Sequence, residues 1–176
     1  MVEILKYKDD TDKAYGLAGM AVSLMVFDDS DTVAEISMDA PAGETIRFSP
    51  SSDMGSNPAF PAKMAWNSLL RQYNLAMGLM IGNVLSRSFI YQSRDVLPEV
   101  YQAMRDTARS EGAEQCSLVE EEADAVFSRT YRMFSNVFTH PRVGNSTRHL
   151  VECLRRQRSM STADIFEQLS DIADLF

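Results

Sequence analysis

His149 and Cys153 lie four residues apart, the spacing that brings two side chains to one face of a helix. With His140 just upstream and Cys116 in an earlier segment, they offer two imidazoles and two thiols, a donor set that zinc accepts. The same residues hold the ingredients of an imidazole-activated thiol nucleophile. Neither reading has support around it. Zinc sites written in sequence show two close pairs of Cys or His, and only one pair is close here. A thiol nucleophile needs a group to orient its base and donors for an oxyanion, and no motif marks either. The plainer expectation is a helix whose Leu150, Val151 and Leu154 face the core, with His149 and Cys153 at the edge of that arc and no cofactor bound.

The same stretch carries Arg142, Arg148, Arg155, Arg156 and Arg158. Arginine matches phosphate and carboxylate oxygens with two parallel hydrogen bonds, so such a cluster points to an anion or an acidic partner. Charge is segregated along the chain. Residues 1–53 carry four Lys or Arg against eleven acids, a balance of −7, whereas residues 129–158 carry seven Arg against Glu152 alone, a balance of +6. The whole chain stands at −8, which repels nucleic acid unless the basic region acts by itself. Aromatic residues do not alternate with these arginines as they do on a base-stacking platform. The expectation is a solvated helix face, or arginines paired with acids of the same chain.

Other chemistry is thinly represented. Glu120, Glu121, Glu122 and Asp124 open a helix, where the macrodipole favours acids. Residues 28–39 begin like a calcium loop but lack its central glycine. The chain holds no phosphate-binding glycine loop, no His-Glu-x-x-His and no Gly-x-Ser-x-Gly. Gly78 and Gly82 are spaced to let another helix approach closely, and the small-residue helix 13–27 is the expected neighbour.

The elements that must position these residues are mostly helical. Apolar residues recur at three- and four-residue steps from Pro61 to about Gln92, a long central helix, and from Ala123 to Phe138. Ser117 with Glu120 has the form of a capping box for the second of these. Further helices are expected over 13–27, about 95–110, 146–158 and after a Ser161–Asp164 cap. Residues 33–48 alternate around Pro41 and Gly43, as a β-hairpin does, and residues 2–7 could add a strand. The Ser-, Pro- and Gly-rich stretch 49–61 reads as a loop.

The longest apolar run, 14–27, falls short of the roughly 20 residues that cross a bilayer, so no membrane span is expected. Two cysteines make no disulfide framework, and the start is acidic and mixed, which suits the cytosol. The expected architecture is a mainly α single domain over 1–176: five or six helices around a long central one, with one small β-hairpin near the N-terminus. The expected function is that of a cytosolic helical domain, acting through contacts with a protein partner or a second copy of itself rather than by catalysis. Nucleic-acid binding through 129–158, and a metal- or thiol-dependent enzyme built on His140, His149, Cys153 and Cys116, are the alternatives.

Overall fold

The computed structural model describes residues 6–27, 33–41, 44–48 and 61–176. Its elements in chain order are α1 (Asp10–Val26), β1 (Val33–Ser37), β2 (Ile46–Phe48), α2 (Pro61–Leu85) continuing as a π-helical turn (Ser86–Tyr91), α3 (Pro98–Cys116), α4 (Glu120–Thr139), α5 (Pro141–Gln157), β3 (Ser159–Ser161), α6 (Thr162–Gln168) and a closing 3-10 turn (Ser170–Leu175). The chain is mainly helical, with a small antiparallel sheet. Helix α2 is the centre: α1, α3 and α4 all pack on it, and α5 closes over α1 and α4.

The α1–α2 crossing is close because both helices are small where they meet. A Cβ on Gly19 would collide with the Gly82 carbonyl oxygen, and a Cβ on Gly82 would collide with the Ser23 hydroxyl. Gly78, one turn earlier, lies under the ring of Phe27. The expected role of the Gly78–Gly82 pair, to admit helix 13–27, is the one the fold uses. Leu17, Ala18, Ala21 and Leu24 of α1 and Ile81 and Leu85 of α2 are fully buried or nearly so. Burial of such side chains contributes about 1.5–3 kcal/mol each relative to exposure, which outweighs the cost of the interior glycines.

One polar cluster crosses this apolar seam. Asp12 and Asn83 are fully buried and Arg87 is nearly so. The Arg87 guanidinium donates to Asp12 through Nε at 2.8 Å and Nη2 at 2.7 Å, and to the Lys6 carbonyl at 3.0 Å. The Lys8 backbone N–H completes the carboxylate's shell at 3.0 Å. Asn83 donates to the Tyr7 hydroxyl at 2.8 Å, and the guanidinium carbon stands 5.1 Å from the Tyr7 ring centroid. The clamp ties the chain before α1 to the point where α2 turns from α- to π-helical. Burial alone would raise the Asp12 pKa. The Arg87 hydrogen bonds and the Lys8 N–H outweigh burial and hold the carboxyl below its ordinary value.

The sheet has the order β2-β1-β3, both pairs antiparallel. Ile36 stands opposite Ile46 on one side and Met160 on the other, and Ile36 and Met160 are buried. The expected hairpin is present. The third strand, however, is 159–161, from the far end of the chain. Lys6 and Tyr7 are not in a strand, and the remainder of the expected strand 2–7 lies outside the described residues. So does the expected loop over 49–60, Pro61 being the first residue of α2.

Helix ends shift where tertiary contacts override local signals. Helix α3 runs on to Cys116 instead of stopping near Ser110. Its Gly112 fits beneath Tyr73, where an added Cβ would sit 3.1 Å from the phenol oxygen, and Tyr73 donates to the Ala108 carbonyl at 2.9 Å. Ser117 is not a capping-box residue: it ends α3 in the left-handed conformation, φ 54°. Val119 heads α4, and the Glu122 carboxylate accepts its N–H at 3.1 Å. The Ser161 cap is present, its hydroxyl accepting from the Asp164 N–H at 3.3 Å.

Candidate functional site

Helix α5 starts at Pro141, five residues before the expected start, because His140 caps it. The His140 Nδ1 accepts from the Arg142 N–H at 3.3 Å, and Pro141 occupies the first helical position, where a missing N–H costs nothing. Leu150, Val151 and Leu154 are buried, as the 100° rotation per residue predicts. His149 is exposed and Cys153 is buried, its sulfur 3.7 Å from Gln168 Oε1 and from Arg156 Nη2. Cys116 is buried at the far end of α3, where burial pushes its thiol pKa up and keeps it protonated. Among the described residues no three His, Cys, Asp or Glu side chains gather as a metal ion requires.

The arginines divide by partner. Arg142 reaches Asp174 at 2.9 Å, and Ser146 beside it donates to Asp171 at 2.7 Å, so the closing 3-10 turn is tied to α5. Arg158, in the left-handed conformation at φ 67°, pairs with Asp10 and, at 2.6 Å, with Asp39. It thereby joins the end of α5 to the starts of α1 and of the sheet's connecting turn. Arg105 and Arg109 pair with Asp124, and Arg109 also with Glu120 at 2.7 Å, which staples α3 to α4. Those arginines are structural, and their acids come from distant parts of the same chain. Arg148 only bonds its neighbour Asn145 at 3.2 Å; no such partner holds Arg155 among the described residues.

A groove opens on another face, between the first half of α2, the end of α1 and the middle of α4. Phe27, Leu70 and Leu75 give it an apolar floor, Asn67 and Asn74 present amides, and Arg71 and Arg129 stand at its edge. Its volume is about 450 Å³, within the range of pockets that take a few side chains. The floor is steadied by the edge-to-face contact of Phe27 with Phe134, ring centroids 5.4 Å apart. Trp66 and Leu69, 46% and 42% exposed, continue the apolar surface along α2. Among the described residues no acid lines the groove, in a chain whose net charge is −8. Arg129 forms no ion pair or hydrogen bond among the described residues. The described lining residues offer apolar contact, amide hydrogen bonding and a guanidinium charge.

Sequence patterning did not single out this groove, because its parts come from three helices. One signal was available for the clamp: Asn83 and Arg87, four residues apart, interrupt the most apolar part of α2. Polar residues on a face that must be buried call for a buried partner. No helix among the described residues is long and apolar enough to cross a membrane. In comparisons with protein-family models, with curated proteins and with solved structures, none matched this chain.

Proposed function

We propose that the protein is a cytosolic, non-catalytic interaction domain whose α2–α4 groove receives a short apolar segment bearing an acidic residue. The observation that carries this reading is the groove itself: Phe27, Leu70 and Leu75 give it apolar surface, Arg129 stands beside them, and no acid is found among the described residues that line it. Apolar floor area supplies the attraction, and Arg129 selects the sign of the partner's charge. Asn67 and Asn74 suit the backbone of an extended or helical peptide, since each amide both donates and accepts. The free, buried thiols of Cys116 and Cys153 fit a reducing compartment.

The test uses fluorescent peptides about a dozen residues long, equal in apolar content, with net charges of about −4, 0 and +4, read by anisotropy. The acidic peptide binds the wild type, and Arg129→Glu weakens it at least about tenfold, because a rim attraction becomes a repulsion. Leu70→Ala weakens all apolar peptides alike. Absence of binding, or binding indifferent to peptide charge and to Arg129→Glu, refutes the reading. Sedimentation gives an independent check: a dimer that Arg129→Glu dissociates makes the groove's occupant a second copy and overturns the separate partner.

A further inference from the structure

On the groove side of α2, Asn67, Leu70 and Asn74 follow at i, i+3 and i+7. Seven residues make almost two full turns, so the two amides stand in line, about 10.5 Å apart along the helix axis and about 20° apart around it. Asn67 is exposed and Asn74 half-buried. Neither side-chain amide forms a hydrogen bond among the described residues. Leu70 lies between them, and Phe27 of α1 and Arg129 of α4 line the same groove. The helix that carries the amides is held from behind: Tyr73 is buried and donates to the Ala108 carbonyl at 2.9 Å. The two amides are therefore presented at a fixed spacing.

We propose that the segment this groove receives lies along α2 in polyproline-II conformation, with two backbone carbonyls three residues apart accepting from Asn67 and Asn74; this rests on the groove's being a peptide site, as argued above. The spacing decides between backbone conformations. A polyproline-II chain has three residues per turn and rises about 3.1 Å per residue, so carbonyls i and i+3 face the same side about 9.3 Å apart. Small side-chain rotations of the two amides close the remaining ångström. A β-strand turns alternate carbonyls to one side, about 6.7 or 13.4 Å apart, and neither distance matches. An α-helix uses its backbone groups internally except at its ends, so it would serve at most one amide and leave the other covered and unpaired. Polyproline II makes no internal hydrogen bonds, so its carbonyls are left to accept from the Asn Nδ2 groups. Side chains between the two bonded carbonyls fall on Leu70 and Phe27, and the segment's acid falls on Arg129, which forms no ion pair among the described residues. Such a segment is already ordered before it binds, so less conformational freedom is lost.

The experiment is an anisotropy titration of the whole chain with two forms of one short acidic, apolar peptide: one held in polyproline-II conformation by prolines, the other stapled as an α-helix with the same acidic and apolar side chains. The extended form binds at least about tenfold more tightly than the helical one. Asn67→Ala and Asn74→Ala each weaken the extended form about three- to tenfold, the loss of one hydrogen bond. Both losses persist when the peptide's apolar side chains are exchanged for one another, because the contacts are to its backbone. Failure of both forms to bind refutes the peptide site and this proposal with it. Charge-dependent binding that Arg129→Glu weakens, but in which the helical form binds as tightly as the extended one or neither Asn variant weakens the extended form, overturns this proposal alone.

Discussion

Replacing Arg87 by methionine should be the most damaging single change in the seam between α1 and α2. Methionine retains much of the side-chain length, so the loss is chiefly of charge and donors. The Asp12 carboxylate, fully buried, receives three hydrogen bonds, two of them from Arg87 at 2.7 and 2.8 Å and one from the Lys8 N–H. Arg87→Met leaves it one. Stranding one member of a buried ion pair costs about 3–5 kcal/mol, a large part of the roughly 5–15 kcal/mol that holds a domain folded. With a urea slope of about 2 kcal/mol/M, the unfolding midpoint should fall by about 1.5–2.5 M. Asp12→Leu instead removes the guanidinium's counter-charge while leaving its bonds to the Lys6 carbonyl and Asn83, and should cost somewhat less. The double variant, apolar on both sides, should be more stable than either single one, because no buried charge remains. Urea unfolding of the four proteins measures this. Single variants within about 1 kcal/mol of the wild type, adding up in the double, would refute the reasoning.

Acid gives the same argument a second, independent reading. The folded pKa of Asp12 lies below its unfolded value, so its contribution to stability is present above the ordinary carboxylate pKa of 3.8 and is lost as pH falls through the folded value. In Arg87→Met the hydrogen bonds that lowered the pKa are gone and burial is left to raise it. Protonation then relieves the stranded charge. The gap between wild type and variant should therefore narrow as pH falls from about 7 toward 4, and a gap that widens would contradict the assignment.

Three further substitutions test the packing. Gly19→Ala drives a methyl group into the Gly82 carbonyl and should cost at least about 1–3 kcal/mol, read as a lower thermal midpoint. Gly144→Ala in α5, whose Cβ would meet nothing nearer than Arg148 Nη1 at 3.6 Å, should stabilise by about 0.5–1 kcal/mol; a loss there would show that α5 is less regular than described. Tyr73→Phe removes the hydroxyl that donates to the Ala108 carbonyl at 2.9 Å and should cost about 1 kcal/mol in chemical denaturation. Burial pushes the Tyr73 pKa up to about 12, so ultraviolet titration should show one phenol fewer ionising at ordinary alkaline pH in the wild type than in a fully unfolded control.

Much of the scaffold was legible in residue order. Period-3.6 apolar spacing identified α2 and the stripe of α4, where Ala123, Phe127, Phe134 and Phe138 are buried. Alternation around Pro41 and Gly43 identified the hairpin. Small residues at Gly19, Gly78 and Gly82 foretold a close crossing. Local reading misplaced what depends on a distant neighbour: the true end of α3 beneath Tyr73, the start of α5, and the third strand supplied by 159–161. Nothing local distinguishes Asp12 from its neighbours Asp9 and Asp10 at the start of α1. Asp9 is the cap, its carboxylate accepting from the Asp12 N–H at 2.8 Å, and Asp12 turns inward to Arg87, 75 residues away.

Sequence alone thus determined most of the helices, the hairpin and the apolar faces, because propensity, periodicity and capping act over a few residues and are written in order. It showed the charge segregation between the basic region 129–158 and an acidic remainder, and left open whether the two would pair. Only the tertiary structure decided which arginines are bound by Asp10, Asp39, Asp124 and Asp174 and which stay at the surface. It alone joined Phe27, Leu70 and Arg129 into a groove and stacked Tyr15 on Tyr91. Those partnerships span from 15 to 148 residues, and they exist only once the helices pack together.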